Sequence, residues 1–280
     1  MRSQTGSMVL FLIGLMLLGM TPSMSAADKP EPTSPTEDVI KLFNGKDLTG
    51  LYVFMRDTKY EDPRRIFTVH DGLLHISGDG FGGICTKKEY SNYHMICEFK
   101  WGERTWGKRK DRARDSGVLV HCTGPDGAYS GVWMACIEAQ IIEGGVGDVL
   151  VVPGKDDEGK PIPLSLTAKV IKDRDGEKVW DADGEPQIFT RGRINWWGRD
   201  PDWKDELGIR GPDDKDSPVG EWTRMDVICE NDQITVIVNG TVVNRGYDAV
   251  PQAGKLTIQT ELAEIFVRRW ELWPLGKAPE

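Results

Sequence analysis

The sequence predicts an all-β domain, a β-sandwich or jelly roll carrying one long loop and hairpin insertion. Three observations lead there. Apolar and polar residues alternate with period two in segments such as YHMICEFKW (93–101) and WMACIEAQII (133–142), the pattern of strands with one buried face. The segments ITVIV and TVVN flank Asn239-Gly240, the dipeptide best suited to the two positive φ angles of a type I′ hairpin. No stretch holds a long helical period, and short strands with tight turns in one chain point to a sandwich or barrel.

The elements follow in order. Arg2, an apolar run from Val9 to Leu18 and the small residues Ser23, Ser25, Ala26 and Ala27 read as a secretory signal over 1–27. The run is about ten residues, against roughly 20 for a membrane span, so cleavage is expected to leave no integral span. Residues 28–38, rich in proline and charge, read as a flexible linker, and the folded domain is expected over 39–276. Strands are expected at IFTV and LLHIS around an Asp71-Gly72 turn, at GVLVHC (117–122), and at the final pair KLTIQTE and EIFVRRWELW. Between about 153 and 218 the composition shifts to charge, Gly and Pro, which reads as an insertion on the rim. A hairpin is expected there around LSLTAKVIKD and EKVWD.

Composition narrows the function. The 280 residues are 39% hydrophobic with ten Trp, which supplies a core and excludes disordered or fibrous classes. A net charge of −9 repels polyphosphates, so nucleic acid is not an expected partner. The destination is export, to periplasm or medium. The five cysteines make no metal pattern and sit in apolar segments, which reads as small buried hydrophobes. Cys122 with Cys136 is the pair to check for a bridge.

Several motifs, taken together, carry a resemblance. LFNGKDLTG, DSGVLVHC, EAQII, GEWTRMDVIC followed by VNG, and GKLTIQTELAEIFVRRWELWPL make the chain similar to the 3-keto-disaccharide hydrolase family from about Leu42 to Leu275. The resemblance implies a concanavalin A-like sandwich, export, and cleavage of glycosides whose sugar carries a ketone at carbon 3. Two departures stand out. The chain has Asp115-Ser116-Gly117 where the family usually has Asn-Ser-Gly, and His121 where an arginine is common.

On a strand, Glu138 and Gln140 share one face, and Glu143 joins them only through a bulge. The pattern echoes the paired carboxylates of laminarinase-type glucanases, whose retaining chemistry needs two carboxyls about 5 Å apart. A 3-keto sugar permits another route, because one base can take the acidified proton on carbon 2 and the enolate then expels the group on carbon 1. On that reading Glu138 is the base, Gln140 orients it or donates to the sugar, and His121 is the acid or oxyanion donor. Arg268 matches a family arginine and would hold the ketone oxygen or a carboxylate, with Gln259, Glu261 and Asp115 as further substrate contacts. Each has a structural alternative: Glu138 as an exposed strand residue, His121 as a structural histidine, Arg268 paired with Glu264 or Glu271.

Pyranose rings pack on indoles, so Trp196, Trp197 and Trp203, beside Asn195 and Arg199, are candidate sugar contacts, with Trp101 and Trp106 behind them. The alternative is that they anchor the insertion. No cofactor is evident. A divalent cation would have to be assembled from separated residues such as His121, Glu138 and Asp148, while Asp173-Arg-Asp175-Gly176 and Asp181-Ala-Asp183-Gly184 lack the full ligand set of calcium loops and read as turns. The basic run KRKDRAR (108–114) reads as a solvated loop or a flap. The competing functions are a non-catalytic lectin-like module and a conventional glucanase.

Overall fold

The computed structural model describes residues 30–280, so the expected signal segment lies outside the described residues. The chain forms a β-sandwich of two antiparallel sheets. The front sheet runs, edge to edge, β13 (Gly192–Ile194), β9 (Val149–Val152), β8 (Ala135–Ile142), β7 (Asp115–Thr123), β17 (Lys255–Glu261), β5 (Phe81–Thr86) and β2 (Leu51–Met55). The back sheet runs β11 (Lys178–Trp180), β10 (Ser165–Lys172), β16 (Thr241–Val250), β15 (Gln233–Val238), β14 (Thr223–Glu230), β6 (Tyr93–Thr105), β18 (Ala263–Trp273), β4 (Leu73–Ile76) and β3 (Phe67–His70). Two short strands complete it, β1 (Ile40–Lys41) beside β18 and β12 (Glu185–Phe189) beside β10.

The period-two patterns become faces. Along β8, Ala135, Ile137, Ala139 and Ile141 point into the core, and so do Val118 and Val120 on β7 and Ile258 on β17. The back sheet answers with Met95, Phe99, Val227, Val236, Ile265, Val267 and Trp270, all essentially inaccessible. Each such side chain contributes about 1.5–3 kcal/mol by leaving water. The hairpin turns form as expected, with Asn239 and Gly240 at φ 45° and 80° and Asp71 and Gly72 at 51° and 77°.

Three boundaries differ from the sequence reading. Thr33 N donates to Glu89 O at 2.9 Å and Thr33 bridges Tyr90, so docking on the domain begins inside the segment read as a linker to 38. The insertion forms the expected β10–β11 hairpin but also sends β13 into the front sheet as its edge. β17 and β18, the final pair of strands, lie in different sheets. The chain turns at Leu262, φ 64°, and crosses from the front sheet to the back. Among the described residues no helix is long and apolar enough to cross a membrane.

Candidate active site

The outward face of the front sheet is open as a trough around Glu138, while Cys85 and Leu119 on the same face are buried against Met134 and Trp133. Strand register places Tyr52, Cys85, Thr257, Leu119, Glu138, Leu150 and Arg193 in one row running across the sheet. In the next row Phe54 pairs Gly83, Gly83 pairs Gln259, and Gly117 pairs Gln140. The two glycines deepen the floor. A Cβ on Gly117 would collide with Glu138 Oε1 and lie 2.6 Å from Gln259 Oε1, so the carboxylate and the amide meet over a position that has no side chain.

A cleft of about 310 Å³ opens above this floor. Glu138, Gln140, Asp115, Gln259 and Glu261 line it below, Tyr129 and Trp133 form one wall, and Arg191 and Arg193 come from the insertion. Trp133 stacks near-parallel with Tyr129 at 6.4 Å, and its Nε1 donates to Gly82 O at 3.1 Å. The cleft thus presents aromatic faces beside amide and acid rims.

Glu138 is 4% exposed. Its carboxylate has no hydrogen-bond or ion-pair partner among the described residues, which rules out the reading of it as an exposed strand residue. Burial, then the neighbouring Glu261 and Asp115, hold its proton affinity well above the usual carboxylate range. Glu261 is pushed up to about 8 by burial and by Asp115, and Asp115 to about 6 by burial, against the pull of Arg109 and Arg193. Gln140 Oε1 accepts from Ile141 N at 3.0 Å, which leaves its NH2 to serve a ligand. Gln259 Oε1 and Asp115 Oδ1 are buried with no partner, and a bound ligand with hydroxyl donors would satisfy them.

Two basic residues that sequence reasoning missed organise these acids. Arg109, from the run read as a solvated loop, is 9% exposed. It bonds Asp115 and Ala113 O (3.0 Å) and lies 3.6 Å from Glu261 and 3.5 Å from Asp205 of the insertion. Arg193 is fixed by Asp148 at 2.7 Å. Asp148, fully buried, also bonds Arg199 and Trp196 N (2.8 Å), so it is committed to the rim and does not join Glu138 and His121 around an ion. Among the described residues no group of His, Cys, Asp and Glu has the arrangement to hold a metal. Asp173 and Asp181 bind their own turn amides through Oδ1, Asp173 those of Asp175 and Glu177 and Asp181 that of Asp183.

Other expected contacts lie elsewhere. Simple alternation from Leu119 would put His121 in the trough. Instead a bulge between Val120 and Thr123 puts His121 at φ 52° and buries it completely, outside the cleft, where loss of water pushes its pKa down to about 4. Glu143, just past the end of β8, sits in a buried clamp: Arg114 Nη1 at 2.6 Å, Arg114 N at 2.8 Å and Gly208 N at 3.0 Å. Its carboxylate is taken up by this clamp and does not line the cleft. Arg268 is on the back sheet, paired with Glu98 at 2.6 Å and stacked on Trp222, whereas Arg191 and Arg193 are the arginines that line the cleft. Asn195 is buried and donates to Glu177 at 2.7 Å. Trp197 donates to Val242 O (2.9 Å) and Trp203 to Glu143 O (2.8 Å), while Trp196 and Trp101 are core residues. The expected Trp cluster therefore anchors the insertion. All five cysteines are buried free thiols, Cys122 and Cys136 included.

A model of the 3-keto-alpha-glucoside-1,2-lyase-like domain matches residues 38–272. No curated protein matches. Among solved structures, two Parabacteroides distasonis proteins with a provisional glycosyl hydrolase assignment are 19% and 18% identical to the chain. The first covers 85% of this chain and 100% of its own at a TM-score of 0.48, the second 84% and 93% at 0.47. A Bacillus licheniformis β-glucanase is 12% identical over 85% of this chain and 98% of its own, at 0.42.

Proposed function

The chain belongs to the 3-keto-alpha-glucoside-1,2-lyase-like domain family, and from that membership we propose an exported enzyme that cleaves 3-keto-glycosides by proton abstraction at carbon 2 and elimination at carbon 1. One observation carries the assignment of the base: Glu138 is an unpaired carboxylate on the floor of the cleft, over the gap at Gly117. Every other acid nearby is bound to an arginine or shares one.

The chemistry follows from these environments. In its ionised form Glu138, poorly solvated on the cleft floor, is a strong base and takes the proton from carbon 2. The C–H electron pair becomes the enolate, whose oxyanion is stabilised by the NH2 of Gln140 and the guanidinium of Arg193. The enolate collapses, the bond from carbon 1 to the glycosidic oxygen breaks, and that oxygen takes a proton from Glu261, which holds one up to about pH 8. The product is a 2-hydroxy-3-keto glycal, and later addition of water gives net hydrolysis. Trp133 and Tyr129 hold the ring while this happens.

The test offers the protein a 3-keto-glucoside beside its unoxidised parent glucoside and follows the enone absorbance of the glycal. Release from the keto substrate alone supports the reading, and Glu138→Gln should lose at least about 100-fold in kcat while still binding. Equal release from the unoxidised glucoside, or full activity in the Gln variant, would sink it.

A further inference from the structure

The transverse row that contains Glu138 continues to Tyr52 at the far edge of the sheet, four strands away. At about 4.8 Å per strand this is roughly 19 Å, beyond the reach of one sugar ring in the cleft. Over that edge stands Tyr60, 64% exposed yet fixed on several sides. Its ring meets Phe54 edge-on at 5.2 Å and tilts over Tyr52 at 6.2 Å. Its hydroxyl donates to Asp126 Oδ2 at 3.1 Å, and Asp126 Oδ1 accepts from Tyr52 at 2.8 Å. Lys255 Nζ donates in turn to the Tyr52 hydroxyl at 2.9 Å. The backbone beneath is equally defined, because Met55 and Lys59 exchange two hydrogen bonds of 2.7 and 2.9 Å in the turn that leads into Tyr60.

A tyrosine on an unconstrained surface would rotate freely. This one is held as a rigid shelf with an acid and an ammonium at its rim, the groups that receive sugar hydroxyls beside a ring that receives C–H faces. The β7–β8 connection lies between shelf and cleft: it supplies Asp126 to the shelf and Tyr129 and Trp133 to the cleft wall, and it covers Cys85 and Leu119 of the row beneath.

We propose that Tyr60, with Tyr52, Asp126 and Lys255, is a distal sugar subsite, and that the substrate is a keto-sugar carried on an oligosaccharide rather than a simple glycoside. The proposal rests on the reading of Glu138 for its direction, from the cleft across the β7–β8 connection to the shelf.

The experiment uses the intact protein with two keto substrates, a 3-keto-glucoside of a small phenol and the same keto-sugar terminating a tetraglucoside, together with binding of the unoxidised tetrasaccharide by calorimetry. Tyr60→Ala should lower kcat/KM on the long substrate about 3- to 10-fold, mostly through KM, leave the phenyl substrate unchanged, and weaken tetrasaccharide binding by a similar factor. Tyr60→Phe should retain most of both. Equal effects on both substrates, or unchanged tetrasaccharide binding in the Ala variant, would overturn the subsite. If neither keto substrate is turned over, the assignment of Glu138 fails instead, and the binding arm still decides the shelf.

Discussion

Glu138 and Gln259 meet above Gly117, in space that any side chain at 117 would fill. The glycine is therefore a shaping residue of the cleft. Gly117→Ala should displace both groups, costing about 1–3 kcal/mol of stability by overpacking and about 100-fold in kcat/KM by misplacing the base. Thermal melts and steady-state kinetics on the keto substrate check both figures. An active, equally stable Ala variant would show that neither group needs its position.

Burial raises the affinity of Glu261 for its proton to about 8, whereas the same side chain in the unfolded chain titrates near 4.5. Between those limits the folded state binds more protons, so its stability from this group is complete below about pH 4.5 and is lost as pH rises through 8. Glu261→Gln removes the ionisable group. The variant should melt within about 1 °C of the parent at pH 5 and several degrees above it at pH 8.5, read by scanning calorimetry. A variant no more stable than the parent at pH 8.5 would contradict the assignment.

Arg109 is the cation that Asp115 and Glu261 share, and Asp205 ties it to the insertion. Arg109→Met leaves both acids buried without it, so each should hold its proton to higher pH. The alkaline limb of kcat/KM should move up by about one pH unit, with a loss of about 1–3 kcal/mol in stability, and Arg109→Lys should recover part of each. A purely structural arginine would lower the melting temperature and leave the pH profile in place.

How much of this was legible in the sequence depends on what each inference needed. Strands with strong alternation, such as β6 and β8, and turns written as Asn-Gly or Asp-Gly were readable because local chemistry sets them. The pairing of Glu138 with Gln140 on one face needed only the strand period. Placing Gln259 and Glu261 in the same cleft as Glu138 needed the strand order β8-β7-β17, which long-range packing decides, and the sequence reading left that face open. Arg268 was misplaced for the same reason, since the crossover at Leu262 looks locally like any turn. His121 was misplaced by one bulge, a single residue at positive φ. Arg193 and Trp133 carry no local mark at all. Edge pairing of β13 with β9 brings in the first, and the loop before β8 the second.

Glu143 separates the two carbohydrate chemistries. A retaining glucanase would use it beside Glu138, and its substitution would abolish turnover. In this structure it accepts from Arg114 Nη1, Arg114 N and Gly208 N, which makes it the clasp between the end of β8, the start of β7 and the insertion. Glu143→Gln keeps the shape and loses the charge opposite a buried guanidinium, which should cost about 3 kcal/mol. At a temperature well below the lowered melting point, kcat on the 3-keto-glucoside should stay within about threefold of the parent, a change of at most about 0.7 kcal/mol in the barrier. A collapse of kcat in a variant that remains folded by circular dichroism would return the second carboxylate to the active site.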